Sequence, residues 1–329
     1  MKIAMIVCWI GKLPDYFDLW EYSCSKNEDY DFFVFTDNPR VQKFDNVKFI
    51  KFSLKAFNEI ALQKLGIEVN ISEPYKLCDF KTAYGAIFED YLKEYDFWGH
   101  CDIDLVFGNI KDFVTEDILD KYKKINKNGH FVLYKNIKQM NNLFKESGSL
   151  FNYIEVFTSN ENYAFDEYTG INMIAKKQNI ECYYINNFAD IDKSVRRYIC
   201  KNHKNYRYQF YEYNEGKIFK IYFDDDKLKK EEMMYLHFQK KIPQINIKSF
   251  NKNIAMGYKE FCNIDNNVTI ETIENINGHE KSIYKYCEKF FYYIHKIKQF
   301  IFSSNKKKKI WINQKKSKEE YKWAKKMEY

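Results

Sequence analysis

Two aspartates, Asp102 and Asp104, follow directly after the apolar run 97–101, and apolar residues resume at Leu105. This pattern predicts two carboxylates at the end of a buried strand, where they are poorly solvated and repel each other unless a cation neutralises them. Mg²⁺ and Mn²⁺ are commonly bound by one or two carboxylates together with substrate phosphates. Such an ion acts as a Lewis acid on a leaving diphosphate. The triplet Asp102-Ile103-Asp104 therefore predicts a metal–diphosphate site, although the same triplet also occurs in simple surface turns.

A second polar group lies upstream, at the start of the helical pattern 76–93. Lys76 and Lys81 carry ammonium groups that suit a diphosphate, and Asp79 is placed to orient one of them. The alternative is that the three side chains form a solvated helix face.

A late histidine, His237, ends an apolar run and precedes Lys240 and Lys241. A neutral imidazole is a suitable additional ligand for Mn²⁺, so His237 is a candidate third ligand. The alternative is a purely structural histidine.

Two further pairs have candidate roles. Thr36 and Asp37 end a predicted strand and are candidates for hydrogen bonds to a base or ribose, with a turn cap as the alternative. Asp166 and Glu167 are carboxylates of the kind that accepts a proton as a general base, with a helix N-cap as the alternative. The charged cluster of Asp190, Asp192, Arg196 and Arg197 is interpreted as an ion-paired loop.

These residues need a framework, and the hydrophobic pattern predicts an α/β domain. Apolar runs alternate with amphipathic segments at a spacing typical of a parallel sheet with crossover helices. The strands are predicted at 3–10, 30–36, 47–52, 97–101, 131–134, 181–185 and 234–238, with a hairpin formed by 206–213 and 217–223. The helices are predicted at 14–25, 53–65, 76–93, 172–178 and 283–302.

The pattern weakens after residue 245, which predicts a catalytic domain at 1–245 and a C-terminal extension at 246–329. Residues 281–329 carry 15 Lys and 4 Glu, whereas residues 1–280 carry 38 basic and 42 acidic side chains. A basic amphipathic helix in this tail suits an anionic membrane surface, which residues 281–316 would contact. The alternative is a helix packed on the body of the protein.

Other classes are disfavoured by what the sequence lacks. The mildly acidic body argues against nucleic-acid binding. No Gly-rich phosphate loop, nucleophile elbow or His-Glu-x-x-His motif is present. The eight cysteines show no metal-binding spacing and are expected to be free thiols of a reducing cytoplasm. The apolar N-terminus fits a buried first strand better than a signal peptide.

Over residues 1–245 the sequence resembles the GT-A glycosyltransferases, in particular small bacterial families that build capsules and surface polysaccharides. Four segments carry the resemblance in order: Phe33–Asp37 at a strand end, Pro74–Lys81 at a helix start, the Asp102-Ile103-Asp104 triplet as a DxD motif, and Tyr235–Lys240 around the late histidine.

The resemblance implies a Rossmann-like GT-A fold with a mostly parallel central sheet. It implies Mn²⁺ or Mg²⁺ held by Asp102, Asp104 and His237, and a nucleotide sugar, most plausibly a UDP-sugar, contacted by Thr36, Asp37, Lys76, Asp79, Lys81, Asp102 and Lys240. The acceptor would be a glycan or a lipid-linked oligosaccharide at the inner face of the cytoplasmic membrane. The missing QxxRW-like signature favours addition of a single sugar.

Two other function classes stay open from the sequence. One is a metal-dependent nucleotidyltransferase or phosphotransferase, in which paired aspartates also hold Mg²⁺. The other is a catalytically inactive glycan-binding subunit. The Lys76/Asp79/Lys81 group and His237 favour the glycosyltransferase.

Overall fold

The structure, a computed structural model, describes residues 1–195, 198–239, 243–265, 267–278 and 284–327, with the side chains of 284–289 and 317–327 excepted. It is a mixed α/β fold with several sheets. Its strands are β1 Ile3–Trp9, β2 Tyr30–Thr36, β3 Val47–Lys51, β4 Phe97–Cys101, β5 Leu105–Phe107, β6 Lys124–Ile125, β7 Phe131–Lys135, β8 Cys182–Tyr183, β9 Ala189–Asp190, β10 Gln209–Asn214, β11 Lys217–Asp224, β12 Lys227–Met233, β13 Tyr235–His237, β14 Gln244–Asn246, β15 Ile254–Met256 and β16 Glu260–Asn263.

Helices cover the sheets and connect the strands. They are α1 Phe17–Ser25, α2 Leu54–Leu65, α3 Leu77–Phe80, α4 Tyr84–Ile87, α5 Glu116–Lys121, α6 Lys138–Asn141, α7 Tyr153–Phe157, α8 Ile171–Lys177, α9 Ile270–Asn277, α10 Tyr284–Ile301 and α11 Asn305–Met327, with 3₁₀ turns at Pro74–Lys76, Lys81–Ala83, Glu89–Tyr91, Ile110–Asp112 and Leu143–Lys145. Among the described residues, no helix is long and apolar enough to cross a bilayer.

The main sheet has the strand order β3-β2-β1-β4-β7-β6-β8. Strands β3, β2, β1 and β4 are parallel, as the strand–helix–strand spacing predicts, whereas β7 is antiparallel to β4. Both faces are covered, because alternate residues of β1 belong to different cores: Ile3, Met5 and Val7 to one, and Ala4 and Ile6 to the other. This explains why the strands are continuous apolar runs.

A second sheet has the order β12-β11-β10-β15-β16-β14 and contains the predicted hairpin, which is β10 and β11. Its turn residues Glu215 and Gly216 have φ values of 49° and 80°, the left-handed conformation that tight hairpin turns require. Strands from both sides of residue 245, where the sequence predicts a domain boundary, share this sheet. The segment after 245 therefore extends a sheet that the preceding segment begins.

The helix predicted over 76–93 is wrong as a single element, because the structure divides it into α3, α4 and three 3₁₀ turns. Gly85 lies inside this segment, and a Cβ there would come within 2.3 Å of the Trp98 indole. The segment is thus held against β4 by a residue of low helix propensity. The apolar periodicity correctly indicates helical structure, but close packing against β4 divides it into short α-helices and 3₁₀ turns.

The C-terminal helices return to the main body. In α11, Ile310 is 3% exposed and belongs to one of the two cores. The same helix donates hydrogen bonds from Gln314 Nε2 to the Tyr163 carbonyl (2.7 Å) and from Lys306 Nζ to Ser159 Oγ (3.1 Å). The helix predicted at 283–302 is present as α10, and α11 docks the basic tail on the loop 159–163.

Candidate metal and nucleotide site

The Asp102–Asp104 segment lies where two sheets meet. Strand β4 ends at Cys101, and the Asp102 amide donates to the His130 carbonyl beside it (2.9 Å). Strand β5 then begins at Leu105 and leaves the main sheet to pair with β13. The two carboxylates therefore stand at the carboxyl end of a central strand, the edge at which open α/β sheets bind ligands.

His237 is brought to this edge by the β5–β13 pairing, which sets it opposite Leu105. Its Nε2 lies 3.6 Å from Asp104 Oδ1 and its Nδ1 lies 2.9 Å from Asp190 Oδ1. One ligand atom from each of Asp102, Asp104 and His237 lies within 4.8 Å of the others. The three residues predicted as metal ligands are thus adjacent in space, although 133 positions separate Asp104 from His237.

This donor set fits a divalent cation. Two carboxylates and one imidazole provide oxygen and nitrogen ligands that suit Mn²⁺, and the carboxylates also suit Mg²⁺. The acidic surroundings are marked in the pKa of His237: burial alone would lower it, but hydrogen bonds with Asp104 and Asp190 raise it to about 9. The carboxylates of Asp104 and Asp190 thus attract positive charge to this point.

Lys81 connects the two acidic parts of the site. Its Nζ donates to Asp102 Oδ1 (2.5 Å) and to the Gly129 carbonyl (3.1 Å), and it lies 3.6 Å from Asp166 Oδ2. Burial opposes ionisation of Asp102, but the positive charges of Lys81 and His237 lower the pKa of Asp102 to about 2. Lys81 therefore keeps one carboxylate of the triplet charged.

Asp166 and Glu167 line the same cleft. Asp166 is almost fully buried, and burial raises its pKa to about 8 despite the opposing effect of Lys81. A carboxyl group with a pKa near the working pH is suited to proton transfer.

Lys76 and Asp79 form a buried ion pair, whereas Lys81 contacts the acidic residues of the cleft. Lys76 Nζ donates to Asp79 Oδ2 (2.7 Å) and to the Glu161 carbonyl (2.6 Å), and both side chains are buried behind the cleft. Asp79 also accepts the backbone amides of Tyr163 and Phe165. The pair therefore anchors the loop that leads to Asp166.

That loop is conformationally strained at one residue. Ala164 has a φ of 51°, a left-handed conformation that costs an alanine about 1–2 kcal/mol. Such strain persists only where the surroundings impose it. Asp79 binds the amides on either side of Ala164 and α11 binds the Tyr163 carbonyl, so two elements hold the strained turn.

Thr36 and Asp37 brace the end of β2 against the loop after β1. Asp37 Oδ1 accepts the Gly11 amide (2.9 Å), and Asn38 Nδ2 donates to the Gly11 carbonyl (2.6 Å) and to Thr36 Oγ1 (3.0 Å). The loop that they hold follows Trp9 and Ile10, which line the cleft. Lys240, like Arg196 and Arg197, lies outside the described residues.

The cleft itself has a volume of about 1030 Å³ and contains residues that the sequence reasoning missed. His130, Asp190, Tyr292 and Tyr293 line it. The sequence predicts Asp190 only as part of an ion-paired loop, and its position in the apolar segment 188–191 is the signal that points to a buried role. Tyr292 and Tyr293 come from α10, so the C-terminal region contributes directly to the cleft wall.

Comparisons with known proteins give a family and distant structural similarities. No curated protein matches the sequence. The solved galactosyltransferase LgtC, in complex with donor and acceptor sugar analogues, is similar at 12% identity and a TM-score of 0.32, over 59% of this chain and 74% of that one. A likeness of that degree supports neither a fold assignment nor a function. A family model matches residues 5–272, so the chain belongs to the DUF6625 family, described as a family of unknown function.

Proposed function

We propose that the protein is a metal-dependent glycosyltransferase of the GT-A type. In this proposal it transfers a sugar from a nucleotide-diphosphate sugar, a UDP-sugar in the first instance, to a glycan or a lipid-linked acceptor of a surface polysaccharide. The observation that carries the proposal is the grouping of Asp102, Asp104 and His237 at the carboxyl end of β4, on the wall of a deep cleft.

The size and charge of the cleft support a nucleotide-sugar donor. A volume of about 1030 Å³ is at the upper end of the range for small-molecule sites, as a nucleotide with an attached sugar requires. Asp102, Asp104 and His237 would hold the cation, whose chemistry is to neutralise the diphosphate as it leaves. Lys81, 2.5 Å from Asp102, provides a second positive charge at the same point.

The remaining donor contacts follow from the positions of the predicted residues. Thr36 and Asp37 would act at the nucleoside end, because they support the loop that carries Trp9 and Ile10 on the cleft wall. Lys76 and Asp79 would contribute through the loop that they anchor. Lys240 is retained as a candidate donor contact from the sequence.

On the acceptor side, we assign the general base to the Asp166–Glu167 pair. In transfer with inversion, the acceptor oxygen forms a bond to the anomeric carbon while the bond from that carbon to the diphosphate oxygen breaks. The acceptor proton passes to the carboxylate, and the electron pair of the broken bond leaves with the diphosphate. Burial raises the pKa of Asp166 to about 8, and Lys81, 3.6 Å away, opposes this and favours the ionised form, so the base becomes available as the pH approaches that value.

The C-terminal helices support a place at the inner face of an anionic membrane. The exposed apolar side chains on α10 and just after it are Phe290, Phe291, Tyr293, Ile297, Ile301 and Phe302. Lysines lie on the same helix and on α11, a composition that suits the interface of an anionic bilayer. Because Tyr293 also lines the cleft, docking there would bring a lipid-linked acceptor close to Asp166.

Thermal shift with a panel of UDP-, GDP- and CDP-sugars and the corresponding nucleoside triphosphates, with and without Mn²⁺, tests the proposal. The expected result is a stabilisation by one nucleotide class that requires Mn²⁺ and is lost in Asp104→Ala. Asp225→Asn, in an exposed hairpin turn, is the matched control and should behave as wild type. Stabilisation by nucleoside triphosphates alone would favour a nucleotidyltransferase, and no shift with any nucleotide would refute donor binding.

A further inference from the structure

Asp190 is placed to control the ring of His237. Asp190 Oδ1 lies 2.9 Å from His237 Nδ1, and a carboxylate can only accept, so Nδ1 carries the hydrogen. The other ring nitrogen, Nε2, is then the one that faces Asp104 at 3.6 Å. The tautomer and the orientation needed for a metal ligand are therefore both set by Asp190.

Asp190 is itself held from several sides. Gln239 Nε2 donates to the same carboxylate oxygen, and Lys201 Nζ lies 3.2 Å from the other one. The backbone is fixed as well: β9 pairs in parallel with β13, which places Asp190 beside His237, and the Ile191 amide donates to the His237 carbonyl (3.0 Å).

The face of the imidazole is restrained separately. The His130 ring lies 4.4 Å from the His237 ring, tilted by 33°, and Tyr235 contacts His130 Nδ1 at 3.1 Å. His237 is thus held at its edge by Asp190 and on its face by His130. Few torsional alternatives are left to a side chain with these two restraints.

We propose that Asp190 is a positioning residue for metal binding, the outer carboxylate of an Asp190–His237–cation arrangement. The inference rests on the proposed metal site and adds a residue that the ligand set alone does not reveal. Carboxylates in this position orient the imidazole and strengthen it as a ligand, and their loss typically weakens metal binding about 10–100-fold.

The test measures binding of Mn²⁺ alone, from the electron paramagnetic resonance signal of the free ion. Four variants are compared with wild type: Asp104→Ala, Asp190→Ala, Asp190→Asn and Asn202→Ala. Asn202 is the matched control, because it accepts the Asp190 backbone amide at 3.1 Å and supports β9 without touching His237. Melting temperatures in EDTA show whether each variant is folded.

The expected result is about 10–100-fold weaker Mn²⁺ binding in Asp190→Ala. Asp190→Asn keeps an oxygen that accepts from Nδ1, so it should recover part of the loss. Asn202→Ala should stay within about twofold of wild type. The absorption spectrum of bound Co²⁺ should change in Asp190→Ala, because the geometry of the His237 ligand changes.

Three results would overturn the inference, and they are distinguishable. If Asp104→Ala binds Mn²⁺ more weakly but Asp190→Ala binds it as wild type does, the metal site is supported and the role of Asp190 is refuted. If wild type does not bind Mn²⁺, both the proposed metal site and this inference are refuted. An equal loss in Asn202→Ala and Asp190→Ala would show that only the stability of β9 matters.

Discussion

The ammonium of Lys81 donates to the carboxylate of Asp102 across 2.5 Å, on the wall of the cleft. Lys81 lies in a 3₁₀ turn and Asp102 at the end of β4, so the contact joins the interrupted helical segment to the central sheet. Since Lys81 also lies 3.6 Å from Asp166, one cation balances the acids on both sides of the cleft.

Replacing Lys81 by methionine should therefore destabilise the protein. The change leaves the ionised carboxylate of Asp102 without its partner. Breaking a buried pair costs about 3–5 kcal/mol, and the partial exposure of Asp102 reduces this to roughly 2–3 kcal/mol. Urea unfolding gives the free energy. Lys64→Met removes surface ion pairs to Glu89 and Asp90 and should cost less than about 1 kcal/mol. Equal losses in both variants would contradict the role given to Lys81.

The raised pKa of Asp166 predicts a pH-dependent stability. Between its ordinary value of 3.8 and about 8, the folded protein holds a proton that the unfolded chain has released, so stability falls as pH rises through this interval. Asp166→Asn removes the titrating group. Its unfolding free energy should match wild type near pH 4, at the lower end of this interval, and exceed it near pH 8 by up to a few kcal/mol, at about 1.4 kcal/mol per pKa unit.

Melting curves in EDTA across this pH range provide the measurement. Asp45→Asn, at an exposed position, should follow wild type throughout. A constant difference between Asp166→Asn and wild type would show that Asp166 does not change its protonation in this interval.

The docking of α11 predicts a contrast between two isoleucines on one helix. Ile310→Ala should cost about 2–4 kcal/mol, because Ile310 is 3% exposed in a packed core. Ile312→Ala, at 45% exposure, should cost less than about 1 kcal/mol. The measurement is denaturant unfolding combined with limited proteolysis of the tail. Similar behaviour of the two variants would mean that α11 is not docked.

The exposed apolar side chains of α10 predict membrane binding that depends on them. A variant carrying Phe290→Ser, Phe291→Ser and Phe302→Ser should bind vesicles containing phosphatidylglycerol at least about tenfold more weakly, since each buried aromatic contributes on the order of 2 kcal/mol. Deletion of 281–329 is a poorer test, because it would also remove Ile310 from the core.

Vesicle co-sedimentation gives the affinity, with pure phosphatidylcholine vesicles as the uncharged comparison. Val41→Ser, on the body of the protein and 84% exposed, serves as a control for general loss of apolar surface. If wild-type protein does not bind vesicles containing phosphatidylglycerol, the membrane proposal is refuted, whereas the proposal of a metal site is unaffected.

Several elements were predictable because their signal is local. Apolar runs identified β1, β2 and β4, since a strand buried on both faces must be largely apolar. The same rule predicted Asp102 and Asp104 at the end of a strand. The residue types at Glu215-Gly216 predicted the hairpin turn. The interrupted segment 76–93 was not predictable, because Gly85 and its contact with Trp98 act across the fold.

By itself, the sequence determined the α/β class, the positions of the first strands along the chain and the candidate ligands Asp102, Asp104 and His237. Only the tertiary structure decided that these ligands meet, that Lys81 rather than Lys76 faces Asp102, and that Asp190 holds the His237 ring. The physical reason is the range of the interactions. Strand and helix patterns reflect burial within a few residues, whereas the site depends on the β5–β13 pairing, which joins segments more than a hundred residues apart.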